Sequence, residues 1–300
     1  MSGTALAMAE TSGPASAGAL PVVMPGHADA PFGSLRPGLF ARALWALAMR
    51  RGLRKGLKKP LRKLAARAFP GPFDVTAGGL CWRLWPAENY CDRVILARRR
   101  LPEVEEREAL FEGLRAGDTF VDIGANIGTY ALDAARRLKP GGRVLAVEPG
   151  PRTHAKLAAN VAANRARIGD VILRQVAVAQ EAGTVTLYAN AGSNAGQSSL
   201  LAEGAGRSGV AVTVEAVPLA DLLAGEGIAA IAAMKIDVEG FEDRIVDAVL
   251  ALPQETWPRR LQVEIEHRAL WRRDAVARLR EAGFATVLET TENVVLQRRA

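Results

Sequence analysis

The sequence predicts an α/β fold, in which a mostly parallel sheet lies between layers of helix and is finished by an antiparallel pair of strands. Three observations predict it. Residues 119–128 read Thr-Phe-Val-Asp-Ile-Gly-Ala-Asn-Ile-Gly, a short β-prone apolar run and a glycine turn, and Thr129–Leu138 continues as a helix. From there to about Ala282, short apolar runs alternate with helical patterns, as parallel strands joined by crossover helices require. The last two runs, Ala285–Leu288 and Val294–Gln297, are too close together for a crossover and must pair as a hairpin.

Three hundred residues hold one large domain or two small ones. Residues 1–35 are rich in Ala, Gly, Pro and Ser and are expected to be a disordered tail. The next stretch, residues 36–70, is a basic amphipathic helical extension. Between Arg36 and Arg67 stand eleven Lys or Arg and no acid, while Leu53, Leu57, Leu61, Leu64 and Ala68 recur at helical spacing, with breaks or bends expected at Gly52, Gly56 and Pro60. Such a segment suits an anionic membrane surface. Its leucine stripe could equally pack on the domain, or the whole segment could be a solvated extension. The formal charge of +7 therefore resides here, because the remaining residues carry 28 basic and 32 acidic side chains. That balance argues against nucleic acid as a partner of the remaining body, since phosphate binding needs clustered cations. Cys81 and Cys91 lie in a chain without a signal-peptide pattern and are expected as reduced thiols of a cytoplasmic protein, one able to rest peripherally on the inner membrane surface.

Residues 71–300 are expected to form the main domain. Phe73–Thr76 and Leu80–Leu84 flank Ala77-Gly78-Gly79, a hairpin signal, and Glu103–Leu114 reads as a helix. After the organising strand and its helix, Val144–Val147 is the second strand. Pro151 opens a helix to about Ala166, and Val171–Val178 is the third strand. Thr184–Tyr188 and Val210–Val217 break the alternation as two strands joined by Asn190–Gly209. Leu219–Leu223 is a short helix, Ile231–Asp237 the fourth core strand, Phe241–Leu252 a helix, Leu261–Glu266 the fifth strand and Ala269–Ala282 a helix.

The turn at Gly124–Gly128 lets a ligand approach backbone N–H groups at a helix N-terminus. Glu148 ends the second strand twenty residues after Gly128, where a carboxylate accepts hydrogen bonds from ribose hydroxyls. Together they point to a nucleoside cofactor. A dinucleotide fingerprint does not fit, because Asn126 stands in the middle of the turn and its last glycine comes one residue early. The fourth strand ends in Lys235-Ile236-Asp237-Val238-Glu239-Gly240-Phe241-Glu242, beside the first strand at the carboxyl edge where open α/β sheets bind ligands.

The order Asp122, Gly124, Asn126, Gly128, Glu148 resembles the first motifs of class I S-adenosylmethionine (SAM) methyltransferases. With Glu148-Pro149, Asn160, Asn164, Ser198-Ser199-Leu200 and Lys235–Gly240 followed by Glu242, the chain from about Phe73 onward resembles the FkbM family. The resemblance implies the Rossmann-like, seven-stranded class I methyltransferase sheet. It also implies O-methylation of a hydroxyl on a sugar, polyketide or other secondary metabolite. By it, Asp122, Gly124, Asn126, Gly128 and Glu148 would bind SAM, and Asp237 and Glu239 would line the reaction site.

An acceptor alcohol must lose a proton. Asp237 or Glu239 is the candidate base, and His267 after the fifth strand is a second. Lys235 could steady a developing alkoxide or tune the carboxylate, or simply pair with Glu264. Asp237, Glu239 and Glu266 end neighbouring strands and offer oxygen ligands that Mg2+ could use, but the spacing does not compel a metal and none is expected. Two alternatives stand beside small-molecule or glycan O-methylation: methylation of RNA or protein with the basic segment as docking arm, and a non-catalytic scaffold for membrane or partner binding.

Overall fold

The chain described by the computed structural model comprises residues 30–50, 52–190, 198–201 and 209–299. Residues 1–29 of the expected tail lie outside the described residues. Its last part is fastened: the N–H groups of Gly33 and Leu35 both donate to Oδ2 of Asp74, and Leu35 accepts from the Asp74 N–H.

The basic segment forms two helices, α1 (Leu39–Ala48) and α2 (Lys55–Ala68). The break falls near Gly52 alone, which has φ +85°. Gly56 and Pro60 lie inside α2, contrary to expectation. Pro60 is only one and a half turns in and its missing N–H removes a single intrahelical bond. Trp45 is wholly buried, its indole N–H donates to the Phe69 carbonyl at 3.0 Å, and Trp45, Ala48 and Ala65 enter the same apolar core as the sheet. The expected leucine stripe is thereby split. Leu61 packs against that core, while Leu57 and Leu64 remain exposed.

Strands β1 (Phe73–Ala77) and β2 (Leu80–Leu84) pair as a hairpin whose turn residues, Gly78 and Gly79, both have positive φ. Helix α3 (Tyr90–Arg98) follows, capped by Oδ1 of Asn89, which accepts from the Cys91 N–H. The sequence reading missed it because its apolar residues surround the helix instead of forming one stripe. Helix α4 (Val104–Phe111) leads to β3 (Thr119–Ile123), α5 (Thr129–Arg137), β4 (Arg143–Val147), α6 (Pro151–Asn164) and β5 (Asp170–Arg174).

The expected third strand, Val171–Val178, is two strands. β5 stays in the main sheet, whereas β6 (Ala177–Ala179) joins β7 (Gly183–Asn190) and β8 (Gly209–Pro218) in a separate three-stranded sheet. Then come α7 (Leu219–Gly225), β9 (Ala233–Ile236), α8 (Glu242–Leu250), β10 (Arg260–Glu264), α9 (Ala275–Glu281), β11 (Phe284–Glu289) and β12 (Asn293–Arg298). The helix expected from Ala269 begins only at Ala275. Oδ1 of Asp274 caps it by accepting from Val276 and Ala277 N–H groups.

The seven-stranded sheet runs in the order β11-β12-β10-β9-β3-β4-β5, and only β12 runs against its neighbours. This is the class I methyltransferase, Rossmann-like sheet expected from the sequence. The central strands are apolar on both faces, Phe120 with Val144 in one layer and Val121 with Leu145 in the other, as burial under helices on both sides demands. Strand order reverses between β3 and β9. Their carboxyl ends therefore open a crevice.

Candidate active site

The crevice is lined by the ends of β3, β4 and β9, by Val176, by Ala177, Val178 and Leu187 of the small sheet, and by Ser198 and Leu200. It encloses about 590 Å3 of space, part of it open to solvent. Five of the predicted residues line it: Gly124, Asn126, Glu148, Asp237 and Glu239. Most of the Asn190–Gly209 connection between the two expected strands lies outside the described residues.

Glu148 is held from two sides. Its Oε2 accepts from the Asn126 N–H at 3.0 Å and its Oε1 from the Gly150 N–H at 2.9 Å. Burial pushes its carboxyl up to about 7, with those two backbone donors opposing. Each oxygen retains a second lone pair, so a diol could still be bound. Asn126 sits at φ +52°, a conformation that asparagine tolerates better than most residues. Its Oδ1 accepts from Nδ2 of Asn89 at 2.7 Å, which ties the turn to the start of α3.

The space beside each glycine is filled by other parts of the chain. A Cβ at Gly124, which has φ +81°, would stand 1.8 Å from the Asp237 carbonyl oxygen. One at Gly128 would meet Leu132 and Leu157 side chains at 2.5 and 2.6 Å. Both make room for protein, and Gly124 lets the end of β9 lie directly against the turn.

Asp122 and Lys235 lie beneath the crevice, buried side by side in register on β3 and β9. Neither oxygen of Asp122 has a partner in hydrogen-bond geometry. Burial raises its carboxyl to about 6, against the pull of Lys235. Lys235 does not pair with Glu264. Its ammonium reaches Oδ2 of Asp237 at 2.6 Å; burial works against its charge, but the Asp237 and Asp122 carboxylates outweigh that and hold the ammonium above its ordinary range.

Beyond Asp237 the chain turns through Glu239, at φ +56°, an uncommon backbone conformation for this residue type. Four hydrogen bonds hold it. Glu242, wholly buried, accepts from the N–H groups of Val238 and Gly240 and from the Trp271 indole, and the Ser199 hydroxyl donates to the Glu239 carbonyl at 2.7 Å. The role of Glu242 was missed, although a carboxylate two residues after a glycine at a helix start was a readable signal. His267 lies behind Glu239, with its Nδ1 3.4 Å from both Glu239 Oε2 and Glu264 Oε1. Burial, then the neighbouring carboxylates Asp237 and Glu264, push the Glu239 carboxyl up. The Glu264 carboxylate beside it raises His267, against burial.

Glu264, Glu266 and His267 bring their ligand atoms within 4.8 Å of one another; the sequence reading had grouped Glu266 with Asp237 and Glu239 instead. Trp82 and Trp85 are buried, as core residues rather than stacking platforms. Cys81 and Cys91 are both free thiols.

The arrangement offers an acceptor for a diol, a buried carboxylate below the glycine turn, and apolar walls from Ile123, Val147, Val178 and Phe241. Among solved structures, the chain resembles a putative transferase of Pyrococcus horikoshii, with 12% identity, TM-score 0.42 and coverage of 81% of this chain and 82% of that one. It also resembles a SAM-dependent O-methyltransferase of Thermotoga maritima, with 13% identity, TM-score 0.41 and coverage of 79% and 82%. In sequence it is 36% identical over 207 residues to the 31-O-demethyl-FK506 methyltransferase FkbM of Streptomyces tacrolimicus, spanning 59% of this chain and 76% of that protein. The family model of the methyltransferase FkbM domain matches residues 122–285. The chain therefore belongs to the FkbM family of methyltransferases.

Proposed function

We propose that the protein transfers a methyl group from SAM to a hydroxyl of a small molecule or glycan. The observation that carries this reading is the turn at Asp237–Glu239, which brings two carboxylates to the crevice opposite Glu148, with His267 behind Glu239. The name of the FkbM relative, which puts a methyl on an oxygen, supports the O-directed part.

SAM, when bound, supplies an activated methyl on a sulfonium and departs as a neutral thioether. Glu148 would hold the ribose diol, and the Asp122 carboxylate below the turn suits the amino acid end. Asp237, kept oriented by Lys235, would position the acceptor hydroxyl. Glu239 would take the hydroxyl proton as the oxygen forms its bond to carbon; burial pushes its carboxyl up to about 10, so only its ionised fraction serves as the base and turnover should rise with pH. His267 would then share that proton across the 3.4 Å contact. The apolar walls exclude water, which favours a step in which charge disappears. No step requires a metal.

The test is calorimetric titration of the full chain with SAM and with S-adenosylhomocysteine, beside Glu148→Ala, followed by a labelled-methyl screen of hydroxylated sugars and polyketides. Saturable binding lost in the variant, with label recovered as an alkali-stable ether, is expected. A folded chain that binds neither ligand would overturn the reading.

A further inference from the structure

The two N-terminal helices contribute nothing to the crevice, yet they carry the most unusual surface of the molecule. Ten large apolar side chains are exposed among the described residues, and six of them lie within residues 32–64: Phe32, Leu39, Phe40, Leu47, Leu57 and Leu64. Phe40 is 85% and Leu39 79% exposed, on a helix whose other face buries Trp45 completely. On α2, Leu57, Pro60, Leu64 and Ala68 recur at helical spacing on the exposed side, and Lys59, Lys63 and Arg67 run beside them at intervals of four. The adjoining flank of α2, at Leu61 and Ala65, enters the core that Trp45 also enters. Both helices are therefore anchored to the body and present their remaining apolar residues outward.

The cations on this surface are unspent. Arg36, Arg42, Arg50, Arg54, Lys59, Lys63 and Arg67 are all exposed, and none forms an ion pair among the described residues. Elsewhere Arg136, Arg137, Arg152, Arg259 and Arg260 each meet a carboxylate. No acidic residue lies between Arg36 and Arg67 to supply one.

We infer that α1 and α2 form a docking surface for an anionic lipid bilayer, on which the protein lies without crossing. Exposed apolar side chains flanked by unpaired cations match an interface in which acyl chains receive the former and anionic headgroups the latter. Stable attachment needs both contributions. A nucleic acid would use the cations but leave Leu39, Phe40, Leu57 and Leu64 in water. No helix among the described residues is long and apolar enough to span a membrane, which leaves attachment in the plane of the surface.

Flotation of the full chain with phosphatidylcholine vesicles, and with vesicles that also contain phosphatidylglycerol, tests the inference. The protein should float with the anionic vesicles only, and salt should weaken the association. At roughly one headgroup-sized interaction per cation, Lys59→Ala/Lys63→Ala/Arg67→Ala should cut partitioning by about 100-fold. Phe40→Ser/Leu57→Ser/Leu64→Ser should lose comparable binding while leaving SAM titration and the thermal melt unchanged, since these side chains are exposed and line no part of the crevice. Equal binding to neutral vesicles, retention by either triple variant, or failure of the folded chain to float would overturn it. So would binding of an RNA oligonucleotide in place of vesicles.

Discussion

Gly124→Ala tests how the first and fourth strands share the site. At φ +81° an alanine costs about 1–2 kcal/mol in backbone strain wherever it is placed. Its Cβ would also stand 1.8 Å from the Asp237 carbonyl, and relief to the 3.0 Å that real contacts keep requires the turn or the end of β9 to move by about 1.2 Å. Overpacking of this kind adds about 1–3 kcal/mol. The sum leaves a typical domain folded, so the displacement should appear in function. Asp237 is on the element that must yield, and a shift of about 1 Å at a reacting group can cost about 100-fold in rate. Gly128→Ala is the control: its backbone strain is similar at φ +92°, but its Cβ meets only the ends of two leucine side chains, which can rotate. Thermal melts and SAM calorimetry on both variants are the assay. Gly128→Ala should lower stability yet bind SAM within a few-fold of the parent, whereas Gly124→Ala should lose at least tenfold in affinity and about 100-fold in turnover. Near-parental affinity and turnover in Gly124→Ala would refute the argument that this glycine exists to admit the Asp237 carbonyl.

Three other outcomes are expected. Because Glu148 is raised by burial to about 7 and must accept from the ribose diol, SAM affinity should climb as pH rises through 7, with proton release that calorimetry in buffers of different ionisation enthalpy will read. Asp122 titrates near 6 when folded against about 3.8 as a free side chain, so the folded state holds more protons between those values and stability falls as pH climbs through that window. Asp122→Asn should therefore raise the unliganded protein's stability by about 1–3 kcal/mol at pH 8 and leave it unchanged at pH 3, measured by denaturant melts, while weakening SAM. Asn164 accepts from the Cys81 N–H at 2.8 Å and donates to the Cys81 carbonyl at 2.6 Å, so Asn164→Ala should cost about 2–4 kcal/mol in denaturant melts with SAM affinity little changed.

That last pair shows how a motif can be visible while its purpose is not. Asn160 and Asn164 stand four apart and so share a helix face, which the sequence shows. Only the packing of α6 on β2 shows what they do: their amides act as the missing neighbour strand, Asn160 for the Arg83 N–H and Asn164 for Cys81. Asn160 also donates to the Ile127 carbonyl, joining the hairpin to the glycine turn. The expected third strand failed for a similar reason. Val171–Val178 is an unbroken β-prone run, and nothing local marks the step at Gln175 where the chain leaves one sheet for another.

The sequence by itself determined the strand, turn and helix at Thr119–Arg137, the acid at Glu148, the alternation that dictates a parallel sheet and the closing hairpin, because each rests on contacts among near neighbours and on periodicity. It also placed Asp237 and Glu239 at the crevice, since a strand end has one location in this topology. What the tertiary structure decided was every relation between distant segments. It set Lys235 against Asp237 instead of Glu264, put His267 behind Glu239, clamped the Glu239 turn with Glu242 and Trp271, and divided one leucine stripe into a buried half and an exposed half. Spacing along a chain determines which face a residue occupies. What that face meets depends on chain segments far away in sequence.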